Sequence, residues 1–406
     1  MTTLNAQNSE PQGGLSWAGV KKYFFLVAIL VPLFQVFSAY QTVTTEAAGL
    51  WLWLLVLLNV VIVPIADIIF GHDTYNPTQE QEDALKSDGF YVWVMYLAIV
   101  AHWLALITTA YAVSVVDLPW YHFLGAIIGI GAMHSVSFAI SHELGHRVNK
   151  KTQIWVAKFA TAIMGYAHFN IEHNKGHHKH VATPEDAASS RMGENVYKFA
   201  LRELPGGFVR AWALERARLS RLGKPTWSFS NEIIHSWLMT LIGFGAMIFI
   251  LGVQVIPFLI FTSFYGWFQL TMANYIEHYG LLRQKLDNGK YQRCEPKHSW
   301  NSNFRLSNLI SLHLQRHSDH HANPTRPYQM LRDYPEAPQM PTGYPTMMIM
   351  TLIPPLWYWV MDRKVVAWAE GDMNLVNMDA EAKDKLFARY HKKPTDQNSE
   401  TAEVTP

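Results

Sequence analysis

The sequence predicts an all-α membrane protein: a bundle of six transmembrane helices with a histidine-rich cap on one face. Three observations carry that expectation. Half of the 406 residues are hydrophobic and only 16% are charged, whereas soluble domains average about a quarter charged. Six apolar runs, at about 23–41, 48–70, 90–116, 120–140, 233–252 and 254–276, reach the roughly 20 residues that a bilayer-crossing helix needs. Nineteen histidines are present, and nearly half of them fall in four short clusters.

The chain opens on a polar segment, 1–20, with no apolar core and cleavage site, so no removable signal peptide is expected. Pro32 and Pro64 sit inside the first two runs, where transmembrane helices tolerate proline and bend. Gly125 and Gly129, four apart in the fourth run, suit close helix packing. The 15 tryptophans fit a chain with two membrane interfaces to line. Lysine and arginine placement sets the orientation. Lys21 and Lys22 precede the first run, and the connections after the first, third and fifth runs carry no cation. The segment between the fourth and fifth runs is rich in them, including Arg147, Lys150, Lys151, Lys158, Lys175, Lys179, Arg191 and Arg202. The connection at 71–89, with Lys86 against five acids, votes only weakly. Both termini and 141–232 are therefore expected in the cytoplasm, as in a multi-pass membrane protein.

Beyond residue 277 the composition turns soluble-like. The apolar stretch at 346–361 is interrupted by Pro354 and Pro355 and reads as a re-entrant or interfacial piece, not a seventh span. One membrane-embedded domain is expected over 21–392, followed by a polar, disordered tail at 393–406. The single cysteine, Cys294, excludes a disulfide framework, a thiolate zinc cluster and an in-chain rubredoxin-type iron site. No nucleic-acid partner is expected.

The clusters are His142-Glu-Leu-Gly-His146, Glu172-His173-Asn-Lys-Gly-His177-His178, Leu314-Gln-Arg-His317-Ser-Asp-His320-His321 and Asn274-Tyr-Ile-Glu-His278-Tyr-Gly280. His142 and His146, His173 and His177, and His317 and His321 are each four apart, so an α-helix would set each pair on one side. Adjacent His177-His178 and His320-His321 point about 100° apart on a helix and can serve two metals. Nine imidazoles are too many for one ion and suit two. Span order brings all four clusters to one face of the membrane. His72, His102, His122, His134, His235 and His391 read as structural; His168, His180, His298 and His313 lie near the clusters but outside the ligand spacing.

Taken alone, the first cluster also matches the zinc-hydrolase helix, with Glu143 as base. Such a site needs one more ligand and an open position, which leaves the other boxes unexplained. A non-enzymatic metal or haem carrier is disfavoured because the ligands gather at one face and not at the midplane. Imidazole suits iron, copper and zinc alike, so ligand type does not choose the metal.

The boxes His-x3-His, His-x3-His-His and His-x2-His-His resemble those of the membrane fatty-acid desaturase and hydroxylase superfamily. Within it, His142–Arg147, Glu172–His178, Leu314–His321 and above all Asn274–Gly280 are similar to the alkane 1-monooxygenases. Ser299-Trp-Asn-Ser-Asn303 and Pro324-Thr-Arg326 extend the likeness, which covers about 20–380. The resemblance implies a di-iron cap of two non-haem irons bound by His142, His146, His173, His177, His178, His278, His317, His320 and His321. It implies terminal hydroxylation of medium-chain n-alkanes with dioxygen. It also implies electrons from rubredoxin, recharged by a NAD(P)H-dependent reductase, and, with no Cys-x-x-Cys here, that donor is a separate chain or a further domain. An acyl-lipid desaturase or hydroxylase is the alternative within the superfamily. Glu143, Glu172, Glu277 and Asp319 are expected to orient imidazoles by hydrogen bonds to their outer nitrogens; direct ligation and helix capping are the other readings. Trp51, Trp53 and Trp103 are candidates to close the far end of a substrate tunnel.

Overall fold

The computed structural model describes residues 17–391. The polar segment expected at 1–20 lies outside them up to residue 16, and the expected tail at 393–406 lies outside them entirely. Among the described residues the protein is helical with no strand beyond isolated bridges. Six helices are long and apolar enough to cross a membrane: Gly19–Thr44, Gly49–Phe70, Phe90–Val115, Trp120–Gly145, Glu232–Leu251 and Val253–His278. All six expected runs are there, and the fourth and sixth helices continue past their apolar stretches into the first and fourth histidine clusters.

Proline acts differently in the first two spans. Pro32 sits inside the continuous helix Val27–Thr44. The second span is broken into short pieces, and its residues Leu58–Ile62 form a π-helix just before Pro64. Proline has no N–H to give the carbonyl four residues back, and here the Val63 N–H donates to Leu58 O in the wider spacing.

The fourth span is the axis of the bundle. Its most apolar window is 72% buried, against 17% for the fifth span, which is therefore peripheral. The second span presses so closely on it that a Cβ on Gly125 would come within 2.9 Å of the Trp53 indole.

The connection from the fourth to the fifth span does not simply leave the bundle. The helix Lys151–Ala162 turns back along the bundle. Ser141 Oγ donates to Ala157 O at 2.9 Å, and Trp103 Nε1, from halfway along the third span, donates to Phe159 O at 3.3 Å. Trp267 of the sixth span closes the return by donating to Met164 O at 2.8 Å. Mixed polarity hid this segment, whose inner side, at Ala157, Ala160 and Ala162, is covered by protein.

A second core lies under the cap, where Trp357, Tyr275, Tyr279, Trp300 and Met361 pack together. The stretch at 346–361 supplies part of it, as helices Tyr344–Thr351 and Pro354–Trp368 broken ahead of Pro354. It packs on the bundle as a re-entrant piece would. Gly280 turns the chain at φ +75°, where a Cβ would come within 2.8 Å of Val365.

Candidate metal centre

All nine clustered histidines converge. His142, His146, His173, His178 and His320 form one group and His177, His278, His317 and His321 another, with the ligand-capable atoms of each group within 4.8 Å of one another. His142 and His146 come from the last turn and cap of the fourth span, and His278 from the end of the sixth. The helix His317–Ala322 brings the third box.

Helical spacing explains most of this division. His317 and His321, four apart, face one group, and His320 faces the other. The second box departs from the α-helical expectation that paired His173 with His177. Residues Glu172–His177 form a π-helix, whose turn is wider, so residues five apart align. His173 therefore pairs with His178, Nε2 to Nε2 at 2.9 Å, and His177 swings to the other group. The wide turn lets one short segment serve both sites.

The nitrogens fit metal ions. In the five-histidine group His178 and His320 place Nε2 atoms 3.0 Å apart. In the four-histidine group the Nε2 separations are 3.2 Å for His177–His321, 3.3 Å for His278–His317 and 2.9 Å for His317–His321. Two imidazole nitrogens on one cation with bonds of about 2.0–2.1 Å sit about 3.0 Å apart at a right angle and about 3.4 Å apart at the tetrahedral angle. His142 Nε2 and His146 Nε2 are buried with no hydrogen-bond partner, a costly state unless the lone pairs are used. Burial, then the neighbouring imidazoles, hold His173, His178, His317, His320 and His321 well below the ordinary histidine range, and His146 is pushed down to about 3. Neutral imidazoles are what a cation requires. The arrangement is a non-haem metal site.

Carboxylates surround it unequally. Glu143 pairs with Arg147 at 2.6 Å, and Glu172 pairs with Arg210. Asp319 accepts from Arg326, Asn323 and the Arg332 N–H at 2.7–2.8 Å. These three brace the backbone around the ligands and hydrogen-bond no imidazole, because each has a closer cationic donor. Glu277 differs. Its Oε2 lies 3.1 Å from His317 Nε2, while Oε1 accepts from the Tyr344 hydroxyl at 2.6 Å. Asp186, absent from the sequence-based candidates, accepts from His177 Nδ1 at 2.8 Å and from Arg210 at 2.8 Å. Burial opposes its charge, but His177 and Arg210 together hold its carboxyl well below the usual range. It follows His177 by nine residues in a loop, where no periodicity marks it.

The linking motifs clamp the boxes to one another. Trp300 Nε1 donates to Tyr279 O at 2.9 Å, and Ser318 Oγ donates to Asn301 Oδ1 at 2.9 Å. Arg316, fully buried, donates to Leu331 O at 2.6 Å and Asp73 O at 2.5 Å.

An apolar cavity lies between the spans; among the described residues no histidine lines it. Val31, Val56, Ile128, Met133, Leu270 and Met348 are among its walls, with Gln269 and Gln315, and its lining comes nearest the histidines at Phe138, one turn before His142, and at Tyr344, whose hydroxyl binds Glu277 beside His317. Val56 and Ile128 lie one turn nearer the histidines than Trp53 and Gly125, so the Trp53 indole packed on Gly125 stands just beyond the deep end. Trp51 turns elsewhere, donating to Thr45 Oγ1 at 2.8 Å. Trp103 stacks on Phe159 at 5.0 Å. None of the three tryptophans lines the cavity itself.

Six membrane helices beneath a paired, all-histidine double site define a membrane-embedded non-haem oxidoreductase. Residues 117–350 match the fatty acid desaturase family. The chain is 43% identical over 388 residues to the alkane 1-monooxygenase of Ectopseudomonas oleovorans, covering 95% of each chain. It is 42% identical to that of Pseudomonas putida, covering 97% of this chain and 96% of the relative. With alkane 1-monooxygenase 1 of Alcanivorax borkumensis it shares 44% identity over 88% of each chain. The chain belongs to the fatty acid desaturase family, in its alkane 1-monooxygenase branch.

Proposed function

We propose that this protein hydroxylates the terminal methyl of medium-chain n-alkanes to 1-alkanols with dioxygen, at two non-haem irons held by its nine clustered histidines. A single domain over 21–392 carries the activity, in an inner membrane with both termini cytoplasmic. The observation that carries the reading is the apolar cavity that ends at Tyr344, whose hydroxyl binds the Glu277 carboxylate beside His317. An alkane offers no charge or hydrogen bond, so its binding rests on burial, at about 0.8 kcal/mol per methylene. Among the described residues no Lys, Arg, Asp or Glu lines that cavity. It offers no charge to hold the head group of an acyl substrate.

A di-iron centre supplies the oxygen activation that a terminal C–H bond demands. The chain's own residues orient and exclude. The cavity walls admit a linear chain end-on, so the methyl reaches the histidines first. Phe138, one turn before His142, and the Tyr344–Glu277 bond close the site to bulk water. Electrons come from rubredoxin, as a separate chain or a further domain, itself served by a NAD(P)H-dependent reductase; with one cysteine, these 406 residues contain no Cys-x-x-Cys pair to hold a rubredoxin iron.

Purified protein supplied with octane, dioxygen and a rubredoxin system should yield overwhelmingly 1-octanol. Mainly 2- and 3-octanol would overturn the end-on geometry. Activity on acyl lipids but not on octane would move the protein to the desaturase side of its family.

A further inference from the structure

A second concavity opens at the membrane boundary on the face that carries the histidine cap. It lies in the crook of the re-entrant helix Lys151–Ala162, against Gly145 at the end of the fourth span and Glu232 at the start of the fifth. Its volume is about 530 Å³, within the range of small-molecule and head-group sites. Five cations line it, Lys151, Lys158, Lys175, Arg218 and Lys224, against one acid, Glu232. Two of the five are already paired, Lys158 with Glu232 at 3.3 Å and Arg218 with Glu215 at 2.6 Å. Lys151, Lys175 and Lys224 are exposed and form no ion pair among the described residues. Beside these charges stands an apolar rim. Val148 is 68% exposed and Trp155 43%, and Phe229, 69% exposed, packs on His235, another lining residue.

Unpaired lysines repel one another and are held together here by the fold, so the cleft is complementary to a compact anion. The exposed aromatic rim next to it is what acyl chains cover at the level where a bilayer meets water. Basic pockets between transmembrane helices at that level suit phospholipid head groups. A folded acidic protein needs a broad surface of about 800 Å² and cannot enter a concavity of this size. We propose that the cleft binds the phosphodiester head group of an anionic glycerophospholipid, with Lys151, Lys175 and Lys224 on the phosphate and the Trp155–Phe229 rim against its acyl chains. The floor of the cleft includes Asn174, whose amide donates to Gly145 O at 2.8 Å. Asn174 and Gly145 are the chain neighbours of His173 and His146, so the lipid would brace the back of the five-histidine group.

The test uses the full chain in detergent micelles carrying equimolar dioleoyl-phosphatidylglycerol and dioleoyl-phosphatidylcholine, read by native mass spectrometry. Wild type should retain phosphatidylglycerol over phosphatidylcholine. The variant K151E/K175E/K224E, whose side chains make no native ion pair, should lose that preference by roughly a hundredfold. A charge-matched control elsewhere, K285E/K290E/R293E, should keep it. Equal retention of the two lipids by wild type overturns the proposal, as does an equal loss in the control, which would mean bulk charge and no site. If the cleft variant keeps its phosphatidylglycerol but loses turnover driven by a reduced rubredoxin, the cleft is a protein-docking surface and the lipid assignment is wrong.

Discussion

The five-histidine and four-histidine groups lie side by side, with the rings of His178 and His321 only 4.5 Å apart, and they offer a cation different surroundings. Among the described residues no carboxylate pairs with an imidazole of the first group. The second has two such contacts, Asp186 behind His177 and Glu277 beside His317. Asp186 sits on the outer nitrogen of His177, which raises the basicity of that imidazole, whereas Glu277 lies on the ligand side of His317 and brings a carboxylate oxygen to the cluster itself. Both place negative charge at the four-histidine group, which therefore favours the higher cationic charge. It is also the group reached from the apolar cavity through Tyr344. The difference teaches that a near-symmetric set of ligands need not make equivalent sites; charge just outside the ligands and access from the cavity set them apart.

The largest effects should come from the ligands themselves. His320→Ala belongs to the five-histidine group and His278→Ala to the four-histidine group, and each should abolish product formation. With one metal ion at each group, as proposed, metal analysis should find each variant short of one ion and still holding the other. Loss of both irons from either variant would mean that the groups form as a unit, and the comparison would collapse.

The carboxylates should give intermediate effects confined to one side. Asp186→Asn should weaken metal at the four-histidine group by about 10–100-fold, seen as earlier loss to a chelator, and leave the five-histidine metal in place. Tyr344→Phe removes only the hydroxyl on Glu277 and should cost less, about tenfold in turnover with unchanged iron content. If Asp186→Asn strips both groups at the same chelator concentration, the asymmetry drawn from the carboxylates is wrong.

Much of this was legible in the residues. The six spans could be read because a bilayer demands long apolar runs, and eight of the nine histidines because ligation demands fixed spacings; His278, alone in its cluster, rested on the resemblance. The allocation of histidines was legible only where the helix is regular. His142 with His146 and His317 with His321 follow the α-helical period, whereas the π-turn at Glu172–His177 breaks it and exchanges His177 for His178. Glu143, Glu172 and Asp319 stand beside ligands in the chain, yet arginines take them: Arg147 one helical turn on, Arg326 seven residues on, and Arg210 from a distant helix. Adjacency in sequence does not say which way a side chain points. Asp186 and Tyr344 come from a loop and from a helix far downstream, so only tertiary packing brings them to the site.

The smallest effect in rate, and the sharpest in selectivity, should come from the opposite end of the cavity. Trp53 stands one turn beyond Val56 and Ile128, with its indole against Gly125. Replacing it by Ala opens space beyond the deep end without touching a histidine or a carboxylate. A longer alkane can then bury further methylenes, each adding about 0.8 kcal/mol, or roughly fourfold in kcat/KM per carbon. The accepted chain should lengthen by the carbons the indole displaced, and turnover of the original substrate should change little. The product should remain the 1-alkanol, because Phe138, Gln269 and Tyr344 still set the register at the histidine end. Trp51→Ala and Trp103→Ala serve as the contrast, since one side chain is tied to Thr45 and the other stacks on Phe159. Chain-length profiles from C6 to C16 alkanes would decide. A shift in the Trp103 variant equal to that of Trp53→Ala would place the cavity's end elsewhere, and internal alcohols from Trp53→Ala would mean that the deep end, not the histidine end, fixes which carbon reacts.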